Sequence, residues 1–293
     1  GAHPLDAGQR VCLARRMTYA PITIAARRTL LDAVEALADH RDGLVLVGAQ
    51  AIYLYTGDAD VAIATTTKDS DIALIPMRLP ADPTLETAMR EGHFAHDRTQ
   101  QQPGEWIPPD DLAPPVELLV PANLSGGGGR RGARIPPHSK YAARVVPGLE
   151  AAAVSHRAMA VTSLEPELDP RQVTLNVATP AALLVAKSYK LGERAAEGPG
   201  RLLDKDAHDI YRLLRAVPAD EVAADLRWLI GDDVAGAITR QALTWLEDLA
   251  RDPTALVPVM AGRAEELAGD PVEVAQSTWA LIQDAIDALE RKP

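Results

Sequence analysis

Two aspartates near residue 70 have the spacing of a metal site. Asp69 and Asp71 belong to the segment Thr67-Lys68-Asp69-Ser70-Asp71, which leads into an apolar run that is predicted to form a strand. Side chains alternate between the faces of a strand, so both carboxylates project from one side and can converge on one cation. Magnesium prefers oxygen ligands and is commonly held by one or two carboxylates together with substrate phosphates. The pattern predicts a Mg²⁺ (or Mn²⁺) site, and the alternative is a pair of ordinary loop acids.

A third acidic residue, Glu117, lies inside the apolar run Val116-Glu117-Leu118-Leu119-Val120. A charged side chain is rarely kept in an interior unless it is paired, hydrogen-bonded or metal-bound. Glu117 is therefore a candidate third metal ligand or a general base. The alternative, which periodicity does not exclude, places Glu117 on the solvent face of an edge strand.

The turn at Gly48-Ala49-Gln50 separates a predicted buried strand from a predicted short helix. The backbone N–H groups at the start of a helix point outwards and favour bound phosphate. Gly48 and Gln50 are therefore expected to be phosphate contacts. The alternative for Gly48 is a simple turn at the end of the strand.

Three basic residues follow a helical spacing further along the chain. Lys187, Lys190 and Arg194 are separated by three and four residues, so they form one stripe on a helix and can grip a triphosphate. The alternative is a solvated basic face. Asp206 and Asp209 share a face of the next predicted helix, and we expect one of them to orient a cation or lysine. The alternative there is a surface ion pair with Lys205, which would contribute little to stability.

The elements that position these residues change in type along the chain. The predicted strands are Leu44–Val47, Asp71–Ile75 and Val116–Val120, with weaker strand signals at Val145, Met159–Val161 and Val173–Val177. The predicted helices are Pro21–His40, Ala49–Tyr55, Thr84–Gly92, Pro180–Arg194, Leu202–Leu214, Ala219–Leu229, Val234–Ala250 and Val272–Glu290. We therefore expect an α/β (α+β) N-terminal domain with a mixed sheet over residues 1–177 and an all-helical C-terminal domain over residues 178–293.

Composition narrows the function classes. The formal net charge is −11, which argues against a protein that coats nucleic acid with its whole surface. Aromatic residues make up 4%, so base stacking has few candidates. The apolar runs are far shorter than the roughly 20 residues of a membrane-spanning helix, and the N-terminus lacks a secretory pattern. With a lone Cys12 as well, we expect a cytoplasmic protein without a membrane partner.

The order of these motifs resembles a known family. An apolar strand, Gly-Ala-Gln-Ala, a spacer and Thr-x-Asp-x-Asp with an apolar tail resemble the polymerase-β-like nucleotidyltransferase superfamily, and particularly the AbiEii/MenT toxin family. The basic stripe followed by Asp204-Lys205-Asp206-Ala207-His208-Asp209-Ile210 is similar to that family's downstream motif. The resemblance runs from about Leu44 to Arg215. It departs from the family pattern at Gly48-Ala49, where Gly-Gly or Gly-Ser is usual, and at Lys68, where an arginine often stands.

The resemblance implies a reaction and partners. It implies that an NTP donates its nucleoside monophosphate to an acceptor hydroxyl, expected at the 3′ end of tRNA, and that pyrophosphate leaves. Such a toxin arrests translation and is restrained by a cognate antitoxin. Asp69, Asp71 and Glu117 would hold the cations, and Lys187 and Asp209 would be catalytic. The expected nucleotide contacts are Gly48, Gln50, Lys68, Lys190, Arg194 and Asp206.

Two other functions stay open at this point. A small-molecule nucleotidyltransferase would use the same carboxylates, and a degenerate nucleotidyltransferase fold would serve as a binding module. An RNA acceptor needs only a local basic patch in an acidic chain. The candidates for that patch are Arg130, Arg131, Arg134, Lys140 and Arg144.

Overall fold

The structure, a computed structural model, describes residues 19–57, 70–96, 102–110, 112–126 and 132–291. Over these ranges the chain is an α+β protein with a mixed sheet and a helical C-terminal region, as the sequence predicts. No described helix is long and apolar enough to cross a membrane.

The described strands form one sheet. They are β1 (Leu44–Val47), β2 (Ser70–Leu74), β3 (Ala95–His96), β4 (Glu105–Ile107), β5 (Val116–Pro121), β6 (Arg144–Val146), β7 (His156–Thr162) and β8 (Gln172–Ala178). Their order is β3-β4-β5-β2-β1-β8-β7, and β6 also pairs with β5. β1 is antiparallel to β2 and parallel to β8, whereas β2 is parallel to β5. The three strands at the centre therefore run in mixed directions.

Helices cover the sheet and make up the C-terminal region. They are α1 (Pro21–Ala36), α2 (Gly48–Thr56), α3 (Leu85–Glu91), α4 (Glu150–Val154), α5 (Pro180–Glu197), α6 (Asp204–Ala216), α7 (Ala219–Gly231), α8 (Gly236–Leu249), α9 (Leu256–Ala264) and α10 (Pro271–Glu290). The start of α5 agrees with the sequence signal, because Pro180 occupies its first turn and the Thr179 hydroxyl accepts a hydrogen bond from Ala182 N.

The two faces of β2 meet different helices. The Ser70 hydroxyl donates a hydrogen bond to the Ala26 carbonyl of α1 at 3.1 Å. Side chains alternate along a strand, so Asp71 projects from the opposite face. That face meets α5, because Asp71 and Leu183 line the same cavity. Adjacent residues of β2 therefore face different surroundings, Ser70 the core and Asp71 the cavity.

The sheet forks beyond β5. Glu117 of β5 pairs with β4, whereas Leu119 pairs with Arg144, the first residue of β6. Gly104 lies at the fork with φ of +84°, and a Cβ there would overlap the Leu118 carbonyl and the Arg144 backbone nitrogen. Gly104 therefore allows the start of β6 to lie close to β5.

The buried apolar side chains of the sheet and the C-terminal helices belong to one continuous cluster. Thr179 is the single residue between β8 and α5, and its N–H donates to the Ser155 carbonyl at 3.1 Å. The predicted domain boundary at residues 177–178 thus falls where strand and helix follow each other directly. The division into two domains stays a prediction.

Candidate functional site

A cavity of about 400 Å³ opens at the edge of the sheet where β1 ends and where β2 and β5 begin. One wall, called the acid wall below, contains Gly48, Ala49, Asp71 and Glu117. The opposite wall is formed by α5, α6 and the segment between them. The basic side chains that line the cavity are Arg144, Lys187, Lys190, Arg194, Arg201 and Lys205.

Strand register brings Asp71 and Glu117 together. Asp71 is aligned with Val47 of β1 on one side and with Glu117 of the parallel strand β5 on the other. Neighbouring strands lie about 4.8 Å apart, and aligned residues of neighbouring strands share a face. Both carboxylates line the cavity. β5 is an interior strand with partners on both edges, so the alternative that Glu117 lies on an edge strand is wrong.

Glu117 already has a basic partner. The Arg144 Nη2 donates to the Glu117 Oε2 in an ion pair, with 36% of the Arg144 side chain and 19% of the Glu117 side chain exposed. A cation that used Glu117 as a ligand would compete with this guanidinium.

Gly48 is fixed by both its backbone and its neighbour. Its φ is +67°, a left-handed conformation that favours glycine. A Cβ at this position would overlap the Asp71 Oδ2. The start of α2 therefore approaches the Asp71 carboxylate closely because residue 48 has no side chain. Gly48 is part of the cavity wall as well as a turn residue.

The side chain of Gln50 belongs to the core and not to the cavity. Gln50 is 1% exposed, and its side-chain oxygen accepts a hydrogen bond from Arg27 Nε at 2.9 Å. Arg27 also donates to the Thr162 carbonyl at 2.8 Å, and burial lowers the pKa of Arg27 to about 10. Two helical residues turn the chain by about 200°, so Gln50 points away from the side of α2 that carries Gly48. The side chain links α1 and α2, and the expected phosphate contact through the backbone of this turn stays a prediction.

The basic stripe on α5 surrounds a buried carboxylate. Lys187 Nζ lies 3.0 Å from Asp206 Oδ1, Lys190 Nζ lies 3.1 Å from the same atom, and Arg194 Nη1 lies 2.9 Å from Oδ2. Asp206 is 0% exposed. The three basic side chains therefore lie on one side of α5, as their spacing predicts. They do not form a solvated face, because they converge on one carboxylate of α6.

The two aspartates of α6 differ in their access to the cavity. Asp209 lines it and lies 2.6 Å from Lys187 Nζ. Asp206 is fully buried beneath the cations, so the expectation that it contacts a nucleotide directly is wrong. Its partners are the α5 cations and not Lys205, so the alternative of a surface pair with Lys205 is also wrong. Asp206 anchors the stripe, and Lys205 is exposed at the cavity wall.

The charges within this cluster shift each other's pKa. Burial opposes charge on Lys187, but Asp209 and Asp206 outweigh it and raise its pKa. Burial also opposes charge on Asp206, but Lys187 and Lys190 outweigh it and hold its pKa below the usual value. The pKa of Lys190 is lowered by burial and by Lys187, while Asp206 and Asp71 act in the opposite direction. Asp71 and Lys190 lie on opposite walls of the same cavity.

The cavity differs in charge from the chain as a whole. Among the described residues, six basic and four acidic side chains line it, whereas the chain carries a formal net charge of −11. A basic surface of this kind attracts an anion with several charges, such as a polyphosphate. The cavity therefore has carboxylates on one wall and a basic stripe on the other.

The donor set fits magnesium. Within the described ranges no group of three or more His, Cys, Asp or Glu residues could hold a metal ion. Asp71 and Glu117 supply two carboxylates, and Mg²⁺ is usually held by one or two carboxylates together with substrate phosphates. A site made by these residues would therefore need the phosphates of a bound substrate to complete it.

Some expected site residues lie outside the described residues, namely Lys68, Asp69, Arg130 and Arg131. Of the other basic candidates for an acceptor surface, Arg134 and Lys140 are exposed and Arg144 lines the cavity. Arg201 lines the cavity but was not among the site residues predicted from the sequence. Its position just before the acidic start of α6 is the signal that could have identified it.

No family model, curated protein or solved structure matches the chain.

Proposed function

We propose that this protein is a magnesium-dependent nucleotidyltransferase that moves a nucleoside monophosphate from an NTP to an acceptor hydroxyl and releases pyrophosphate. The observation that carries the proposal is the position of Asp71 and Glu117, side by side on neighbouring strands and opposite the basic stripe of α5. Nucleotidyl transfer needs this pairing of carboxylates for a cation with cations for a triphosphate.

The acid wall would hold the cation. Asp71 is the first ligand in the proposal, and Asp69 and Glu117 are the further ligands. Bound Mg²⁺ would supply charge neutralisation at the reacting phosphate and at the leaving pyrophosphate. The start of α2 at Gly48 supports the proposal, because N–H groups at a helix start favour a nearby phosphate.

The basic wall would hold the triphosphate. The side-chain exposures are 10% for Lys187, 39% for Lys190 and 22% for Arg194, so Lys190 is the most accessible of the three. Lys190 and Arg194 would bind the outer phosphates, and Lys187 would reach the nucleotide from beneath. In this role Asp209 orients Lys187, since the two groups are 2.6 Å apart.

The acceptor in this proposal is the 3′ end of tRNA, which would make the protein the toxin of a toxin–antitoxin pair. Support comes from the family resemblance and from three basic residues, Arg134, Lys140 and Arg144, in the segment that leads into the cavity. Lys140 also lies 5.0 Å from the ring centroid of the exposed Tyr141. A cation beside an exposed aromatic ring suits a single-stranded nucleic acid.

A labelling assay tests the reaction. The protein is incubated with each α-³²P-labelled NTP, Mg²⁺ and total RNA, and the labelled species are separated and mapped. We expect label at the 3′ end of tRNA. Asp71→Asn is expected to lower transfer by about two to three orders of magnitude, because it removes charge stabilisation at the reacting phosphate. Asp233→Asn, the same change on an exposed residue that does not line the cavity, is the matched control.

The outcomes of this assay separate the related activities. Label on a small hydroxyl compound but not on RNA would identify a small-molecule nucleotidyltransferase. Equal activity of wild type and Asp71→Asn would overturn the assignment of the acid wall.

A second candidate is a nucleotide-binding module that transfers nothing, and the ion pair of Glu117 with Arg144 favours it. If Arg144 stayed on Glu117 permanently, the acid wall would lack one of its carboxylates. Calorimetry with NTP and Mg²⁺ distinguishes the candidates when it is combined with the labelling assay. Tight NTP binding without label transfer to any acceptor would favour the binding module.

A further inference from the structure

We propose that Arg144 exchanges partners during nucleotide binding: it holds Glu117 in the empty site and moves to a phosphate of the incoming nucleotide. This inference rests on the proposed function, because it assumes that the cavity takes an NTP together with a divalent cation. It adds a phosphate ligand from β6 and makes binding of the cation depend on binding of the nucleotide.

The backbone of Arg144 is held in place. Arg144 begins β6, is aligned with Leu119 of β5 and forms an isolated antiparallel bridge with Gly132. Its backbone nitrogen packs against Gly104 at the fork of the sheet. Any movement that exchanges its partner must therefore come from the side chain.

The guanidinium of Arg144 has donors to spare. Among contacts between the described residues, Nη2 donates to Glu117, while Nε and Nη1 make no hydrogen bond. The side chain lines the cavity and is 36% exposed. A guanidinium carries five N–H donors in a planar fork that matches the geometry of a phosphate. Arg144 can therefore meet a phosphate while it leaves the carboxylate.

The charges favour the exchange once a nucleotide arrives. A partly exposed ion pair contributes little to stability, so its loss costs little. Hydrogen bonds from arginine to a phosphate can form in parallel pairs and are stronger than neutral ones. After the exchange, the Glu117 carboxylate faces the cavity without its guanidinium partner. A divalent cation would then replace the lost positive charge.

Arg144 differs from the cations of α5 in this respect. Lys187, Lys190 and Arg194 converge on Asp206, which is buried on their own side of the cavity. The partner of Arg144 belongs to the acid wall. Removing the charge of Arg144 should therefore change cation binding and nucleotide binding in opposite directions.

Binding measurements on Arg144→Gln test the exchange. The probes are Mn²⁺ alone, followed by electron paramagnetic resonance, and α,β-methylene NTP analogues with Mg²⁺, followed by calorimetry. We expect Arg144→Gln to weaken binding of the analogue by about 10- to 100-fold, the effect of losing a charged hydrogen bond. We expect the same variant to bind Mn²⁺ alone about two- to fivefold more tightly, because a weak competitor for Glu117 is gone.

Two further variants serve as controls. Arg90→Gln makes the same change on an exposed residue that neither lines the cavity nor belongs to the proposed acceptor surface, and it should change neither affinity. Arg144→Lys keeps the charge but loses the planar fork, so its affinity for the analogue should lie between those of wild type and Arg144→Gln. Circular dichroism establishes that each variant is folded.

The outcomes distinguish this inference from the proposed function. If wild type binds no analogue with Mg²⁺, the proposed function fails and the exchange fails with it. If wild type binds the analogue and Arg144→Gln binds it equally well, the exchange alone is overturned. If Arg144→Gln weakens both affinities, Arg144 has a structural role only. The same conclusion follows if Arg144→Gln does not fold and Arg144→Lys behaves as wild type in both assays.

Discussion

Replacing Asp206 by asparagine removes the carboxylate on which three cations converge. The side chain is 0% exposed, and its oxygens lie 2.9–3.1 Å from Lys187, Lys190 and Arg194. The substitution preserves shape but leaves these cations facing a neutral amide. Since α5 and α6 are joined here by charge, the stability of the folded chain should fall.

The size of the loss follows from the burial of each partner. Removing one member of a buried ion pair costs about 3–5 kcal/mol. Lys190 is 39% exposed, so water compensates part of its loss, and Lys187 keeps Asp209 at 2.6 Å. We therefore expect the lower end of this range, about 3 kcal/mol. This is a large share of the roughly 5–15 kcal/mol that stabilises a typical protein.

Urea unfolding followed by circular dichroism measures this difference. The matched control is Asp204→Asn at the start of the same helix, because Asp204 pairs with Arg263 while both side chains are more than one third exposed. The control should lose less than about 1 kcal/mol. A loss below about 1 kcal/mol for Asp206→Asn, or equal losses for the two variants, would refute the anchoring role of Asp206.

Three further predictions concern pH and two glycines. The pKa of Asp206 is held below its usual value, so its contribution to stability is complete above about pH 4 and is lost as the pH falls below that. The difference in unfolding free energy between wild type and Asp206→Asn should therefore be constant near pH 6 and shrink towards pH 3. A constant difference over the whole range would contradict this. Gly48→Ala should lower the free energy of unfolding by about 1–3 kcal/mol because Gly48 has a positive φ. It should also weaken Mn²⁺ binding, because the new methyl group displaces the Asp71 carboxylate. Unchanged Mn²⁺ affinity would argue against a cation site at the acid wall. Gly192→Ala places a methyl group against the Trp245 ring between α5 and α8, and it should lower the free energy of unfolding by about 1–3 kcal/mol in thermal or urea unfolding. Gly231 has open space around it, so the control Gly231→Ala should change stability by less than about 1 kcal/mol.

Local sequence signals predicted many of the main elements. The run Leu44–Val47 is β1 as predicted, and Thr179-Pro180 marks the start of α5. These signals depend on residues close together in the chain, such as a cap or a continuous apolar run. The prediction of α1 was too long, because the helix ends at Ala36 and a 3₁₀ segment, Ala38–Gly43, follows.

Short elements were not predicted. β3 and β4 contain two and three residues, so neither shows a period of alternation. α9 was missed as well, and it contains Pro258 near its start, where proline is tolerated although it resembles a helix breaker in the sequence. The pairing partners of such elements decide whether they form, and those partners lie far away in the sequence.

The site was predicted in its residue types but not in its pairings. Alternation indicates which face a residue occupies on its own strand, but the alignment of Asp71 with Glu117 depends on two strands 46 positions apart. In the same way, the spacing of the basic stripe does not reveal that Asp206 lies beneath it. The sequence also does not reveal that the side chain of Gln50, a turn residue, is buried against Arg27.

The direct junction of β8 and α5 has a consequence for substrate access. Thr179 caps α5, donates its N–H to the Ser155 carbonyl and lies with its hydroxyl 2.8 Å from the Ser155 hydroxyl. Enzymes that close around a substrate by domain rotation need hinge residues that absorb large backbone changes. The junction between β8 and α5 is a single hydrogen-bonded residue, so it provides no such hinge. If the proposed function holds, the nucleotide should enter a preformed cleft, and side-chain movements rather than rotation about this junction should control its entry.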